Sequence, residues 1–303
     1  MDHESYVILK NAGENNIIDR EALKRVKHKV VPTIRENIDI ILKKGRKFHG
    51  LNIRRFTDQF LLSTSPKNRL DEVVVTFLLF LANQISQKKY HQTFFYQGAW
   101  ESEYAWFMLF KWISYSIFTL IYNVRCWKSE YLLLLDDMVI DLVLNGEVYA
   151  LRKFAEKISI KFESDEPYLA ENHFSKFIYQ TTKDFGPYYW RMLHFMAEGI
   201  AMRANTENYD INYAKRLWKQ FLTETMYRTL LCGYCKTHYQ YLLDSDGYKE
   251  KILRFEDKDF PMLWFEIHNK VNKNIWKREY SETNWNVDRK FMNQALVAAT
   301  SVL

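Results

Sequence analysis

Turn-making residues are scarce in this chain: nine glycines and five prolines serve 303 residues. A β-sandwich or barrel needs such residues at short, regular intervals, so those folds are excluded first. Between the few breakers, apolar residues recur at helical spacing. They make up 48% of the sequence, enough to fill a sizeable core and to exclude a disordered chain. The expected fold class is therefore all-α. The length suits one large domain or two small ones.

The periodicity predicts helices near 68–87, 106–124, 131–144, 147–161, 188–203, 212–227, 230–243, 261–276 and 285–298. An amphipathic helix kinked at Pro32 is expected between Asp19 and Leu42. The run 73–81 is apolar except for Thr76 and too short to cross a bilayer. The stretch 106–124 has the length of a span, yet it carries Lys111 and the group Ser114-Tyr115-Ser116. It reads as a buried core or interface helix, and no membrane span is expected. The segment 161–167, KFESDEP, is polar and ends in proline, which makes it the linker. Two domains follow: 1–165, an additional helical domain whose role the residues do not reveal, and 166–303, a compact helical bundle. An echo between WFMLF at 106–110 and WRMLH at 190–194 leaves a decayed duplication open.

The net charge of +6 is spread among interspersed acids and bases. A local run, Lys43-Lys44-Gly45-Arg46-Lys47, reads as a solvated helix end, and nucleic acid is not an expected partner. No GxGxxG or GxxxxGK[ST] occurs, which excludes a Gly-rich nucleotide loop. The start, MDHESYVILK, lacks the basic-then-apolar order of a signal peptide, and three cysteines cannot staple a small secreted module. The expected compartment is the cytosol or nucleus.

Two of the three cysteines form Cys232-Gly233-Tyr234-Cys235, and Cys126 stands apart. Outside the secretory route a CxxC is a metal site or a redox dithiol. His238 and His268 would complete a Cys2His2 zinc set, giving a zinc-stabilised interaction module. A redox pair closes most easily at a helix start, where the dipole and unpaired N–H groups favour the thiolate. Spacing alone leaves both readings open.

The flanking residues decide between them. Trp190-x-x-Leu193-His194-x-x-Ala197 comes first, then Cys232-x-x-Cys235-x-x-His238-Tyr239, then Leu263-Trp264-x-x-Ile267-His268-Asn269-x-Val271-Asn272. In this order, on consecutive helices, they resemble the Erv/ALR family of FAD-linked sulfhydryl oxidases, most closely its viral, baculovirus-type members. The resemblance covers about a third of the chain, from Phe185 to Trp285. A flat flavin ring with polar edges suits such a set: Trp190 and His194 share a helix face, as do Trp264 and His268, and Ala197 would leave room beside the helix.

The resemblance implies a C-terminal FAD-binding bundle preceded by the additional helical domain. It implies a thiol oxidase that forms disulfides in protein substrates and passes electrons to oxygen. Cys235 corresponds to the flavin-proximal cysteine and Cys232 to the one that meets the substrate. Gly186, Trp190, His194, His238, Tyr239, Trp264, His268, Asn269, Val271 and Asn272 correspond to positions around FAD, Lys277 to a basic residue near its phosphates, and Trp285 to a tryptophan on its adenine side. No residue is assigned to a metal. A homodimer is expected, in the host cytoplasm or nucleus or in a virion. Three departures stand out: Pro187 occupies the place of an arginine, the family's stapling cysteine is missing, and so is a second, shuttle CxxC.

Overall fold

The computed structural model describes residues 65–90, 103–125, 129–145, 147, 149–162, 182–230, 232–275 and 277–300. Among these residues every regular element is helical and no strand occurs, as the shortage of breakers implies. In chain order the helices are α1 Pro66–Tyr90, α2 Glu103–Tyr122, α3 Ser129–Val139, α4 Ala150–Lys157, α5 Thr182–Met202, α6 Tyr209–Gln220, α7 Met226–Thr229, α8 Gly233–Asp244, α9 Tyr248–Arg254, α10 Phe260–Asn274 and α11 Glu282–Thr300. Ser65–Leu303 form one compact unit, and the division expected at 165/166 falls inside it. The kinked helix expected at 19–42, Cys126 and residues 163–167 of the expected linker lie outside the described residues.

Helices from both halves of the sequence share one core. α1 packs on α11 and α5, α2 on α6, α1 and α5, and α5 on α10. α1 contributes Val73, Val74, Phe77, Leu78 and Leu81, all buried, so the apolar run read from the sequence is a core stripe. Within α2, Ala105–Tyr122 is long and apolar enough to cross a bilayer, but 72% of it is buried by the protein's own helices. Its lysine is neutralised inside the fold: Lys111 Nζ lies 2.5 Å from Asp136 Oδ1 of α3. α2 and α5 approach closely at Gly199, where an added Cβ would stand 3.1 Å from the Leu120 carbonyl oxygen.

Several element boundaries depart from expectation. α5 begins at Thr182, not 188, and runs through Pro187. Proline's fixed φ suits a helix, but it removes the N–H that would bond Lys183 and its ring crowds that carbonyl, a cost the first turns of α5 absorb. The expected helix 147–161 contracts to α4, which closes before Ser159 in a left-handed conformation, φ 63°. α9 was not expected: it has only seven residues and follows the turn at Gly247, φ 72°.

The expected helix 212–227 is two helices joined by a π-turn. Between α6 and α7, at Phe221–Thr225, the Met226 N–H reaches five residues back to Phe221 O. The Thr225 hydroxyl donates to the same carbonyl at 3.3 Å. The Leu222 carbonyl is left for another donor, and Tyr239 of α8 takes it, Oη to O 2.9 Å. This bond fixes α8 against the turn that precedes it.

Candidate redox site

α8 begins three residues later than the pattern predicts, and that shift defines the CxxC. Cys232 is the N-cap, with extended backbone (φ −82°, ψ 118°). Its Sγ accepts the Cys235 N–H at 3.2 Å. A thiol sulfur thus does what a serine or aspartate oxygen does at other helix starts. Both side chains are half-buried and side by side at the helix start.

The expectation that the helix start favours the thiolate fails for Cys235. Burial pushes its thiol up to about 12, the neighbouring Cys232 sulfur adds to this, and the Lys277 ammonium works in the opposite direction. The Cys235 N–H donates to Cys232 Sγ, and a backbone hydrogen bond to the Cys235 sulfur itself offsets only part of the rise.

A second group forms where α5 crosses α10. The Trp190 ring stacks on His268, centroids 3.8 Å apart and planes 3° from parallel. His194, one turn along α5, places Nε2 2.9 Å from His268 Nδ1. Burial pulls His194 down to about 4, so at neutral pH it is uncharged. Trp264 lies beside Trp190, centroids 6.4 Å apart, fully buried. Its indole Nε1 is buried without a hydrogen-bond partner. The sequence pattern groups these four with Tyr239 and Asn269 around one flat ring; the four contact one another.

The remaining predicted residues have other surroundings. His238 Nε2 accepts from Asn274 Nδ2 at 2.7 Å, and its ring stacks with Tyr234 at 5.9 Å. Burial lowers the His238 pKa, Asp246 opposes this, and Lys270 reinforces it. Tyr239 is buried and committed to Leu222. Asn269 spends both ends of its amide on the Tyr280 backbone, donating to its carbonyl at 2.9 Å and accepting its N–H at 2.7 Å. Asn272 holds the Lys277 N–H with its backbone carbonyl at 2.8 Å, and Val271 and the Asn272 side chain are half-buried. Lys277 is exposed, with its charge acting on Cys235. Trp285 of α11 is buried against Phe265, centroids 4.8 Å apart. Gly186 lies within α5, and a Cβ there would meet open space. Ala197 is buried in the helix packing.

The zinc alternative does not assemble. His268 is engaged with His194 and Trp190, and His238 with Asn274. Among the described residues no group of three or more His, Cys, Asp or Glu gathers as a metal set.

Two features were missed from the sequence. Asn274 holds His238 but sits outside the repeated Asn and His positions that drew attention to α10. Glu198 is 2% exposed and bonds Arg289 Nε of α11 at 2.7 Å. A single acid between Ala197 and Gly199 in an apolar helix was a readable sign of a buried, paired charge. Arg289 also lies over the Trp285 ring at 5.3 Å, so one arginine seats α11 on α5.

The Trp190, His194, Trp264 and His268 group offers aromatic faces, a polar imidazole edge and an unpaired indole donor, a donor set that fits a flat flavin ring with polar edges. Residues 187–292 match the family model described as the Erv1 / Alr family. That span contains the CxxC and all four of these residues, so this region is similar to a family that is generally FAD-binding and generally composed of sulfhydryl oxidases. Comparison with curated proteins and with solved structures returns no match.

Proposed function

We propose that this chain is a FAD-dependent thiol oxidase, which forms disulfides in protein substrates through Cys232 and Cys235 and delivers the electrons to dioxygen, giving hydrogen peroxide. The observation that carries the reading is the CxxC capping α8 inside the segment matched to the family. Trp190, His194, Trp264 and His268 would hold the flavin. FAD, when bound, accepts two electrons from a dithiol and gives them to oxygen.

The chain's own residues do the sulfur chemistry. In the oxidised pair a substrate thiolate attacks Cys232 Sγ, the Cys232–Cys235 bond breaks, and Cys235 leaves with the electron pair. The Lys277 cation favours that thiolate as it forms, and burial then favours its protonation. A second substrate thiol displaces Cys232 and leaves both cysteines as thiols. We place this activity in a viral setting, in the host cytoplasm, nucleus or virion, with the protein acting as a homodimer. The support is the resemblance of the motifs to viral members of the family and the small number of cysteines.

The test is a visible spectrum followed by an oxygen electrode. The purified protein is expected to be yellow and to consume oxygen with dithiothreitol, and Cys235→Ser is expected to stop consumption while keeping the colour. A colourless protein that takes up no FAD and consumes no oxygen would refute the reading.

A further inference from the structure

Tyr234 stands between the two redox cysteines and is 64% exposed. It is nevertheless anchored. Its ring stacks with His238 one turn on, with planes 19° apart. His238 is in turn held by Asn274. Tyr241, 57% exposed, continues the same face of α8. An aromatic stripe therefore leads away from Cys232, and no step of the proposed sulfur chemistry uses it.

Disulfide geometry says what must come to lie there. A mixed disulfide with Cys232 brings the partner cysteine's Cα to within about 4.4–6.8 Å of the Cys232 Cα. An extended chain advances about 3.3 Å per residue. The residues flanking the captured cysteine therefore pass over the first turn of α8, within reach of the side chain two positions after Cys232. A small dithiol has nothing to lay on that ring, whereas a polypeptide does.

We propose that Tyr234 is a specificity-determining residue. Its ring, backed by His238, receives an aromatic or large apolar side chain next to the substrate cysteine, so the preferred substrates are reduced protein segments with such a neighbour. The proposal rests on the thiol-oxidase reading. The bond that forms joins substrate sulfur to Cys232, the bond that breaks is Cys232–Cys235, and flavin with dioxygen restores it.

The full chain carrying Cys126→Ser and Cys235→Ser isolates Cys232. It is mixed with two peptides whose single cysteine carries a thionitrobenzoate disulfide, one with phenylalanine beside the cysteine and one with glycine. The Cys232 thiolate displaces thionitrobenzoate, whose colour reports the rate. The phenylalanine peptide is expected to react about two- to tenfold faster, the range an aromatic pair supplies. The ratio is expected to fall towards one in Tyr234→Ser and to persist in Tyr234→Phe. No preference in the parent, or a preference that survives Tyr234→Ser, overturns the proposal. Oxygen consumption with dithiothreitol keeps the two ideas apart. Turnover without peptide preference sinks the docking role alone, and preference without turnover sinks the oxidase.

Discussion

Acid should weaken this protein through His194. The folded pKa is about 4 against an ordinary 6.5, because the ring is desolvated where α5 meets α10. Between those values the unfolded chain binds a proton that the native protein refuses, so stability rises with pH and is lost on acidification. Going from about pH 7 to pH 5 this amounts to about 2 kcal/mol, and by pH 4 to about 3 kcal/mol. Glu198 acts with the opposite sign. Burial raises it from 4.5 to about 6, Arg289 and Asn293 only partly opposing this. The native state therefore holds its proton more readily, and acidification to pH 5 returns about 1 kcal/mol. The wild-type slope alone understates His194, so the measurement is a difference. Urea unfolding of cofactor-free wild type and His194→Phe is compared at both pH values. The wild type should lose about 2 kcal/mol more than the variant over that interval. The absolute stability of the variant is immaterial, although it also loses the bond to His268. Equal losses in the two proteins would show that His194 takes up protons freely in the fold, and the desolvation argument would be wrong.

Three further outcomes follow from specific contacts. Asn269→Ala removes both bonds to Tyr280 and should cost about 2 kcal/mol, read as a lower Tm with faster proteolysis after α10; unchanged values would mean the segment holds itself. Lys277→Met removes the cation that opposes the rise at Cys235, so thiolate absorbance should appear at higher pH than in the wild type, and a downward shift would contradict the charge assignment. Gly199→Ala forces α2 and α5 apart against the rigid Leu120 carbonyl and should destabilise by about 1–3 kcal/mol in denaturant unfolding; a neutral result would mean the crossing adjusts without cost.

Helix identity was legible because it depends on periodicity, and long apolar stripes such as those of α1 and α2 fix it locally. The shared faces of Trp190 with His194 and of Trp264 with His268 were legible too, since i, i+4 spacing fixes them within each helix; that the two pairs contact each other comes from the packing of α5 on α10. Three things were not. α9 is too short for a periodic signal. The charge state of Cys235 depends on burial by residues distant in sequence, and helix-start reasoning alone gives the wrong direction. The amide of Asn269 was assigned by motif, yet its partner is the backbone of Tyr280, eleven residues on, in a stretch with no regular pattern. Side-chain to backbone bonds of this kind leave no trace in residue type.

The π-turn at Phe221–Thr225 sets how firmly the helix of the redox pair is held. A π-turn houses one residue more than an α-turn while closing the same turn. Deleting one residue there would let α6 run on into α7 as an unbroken α-helix, with the elements after it facing nearly the same way. The loss would be an acceptor: the Leu222 carbonyl would return to the regular ladder, and Tyr239 would have to give it up. The extra residue is thus a socket for the tyrosine. Substitutions inside the turn that keep its length should be absorbed, whereas deleting one residue should loosen α8 without touching either cysteine.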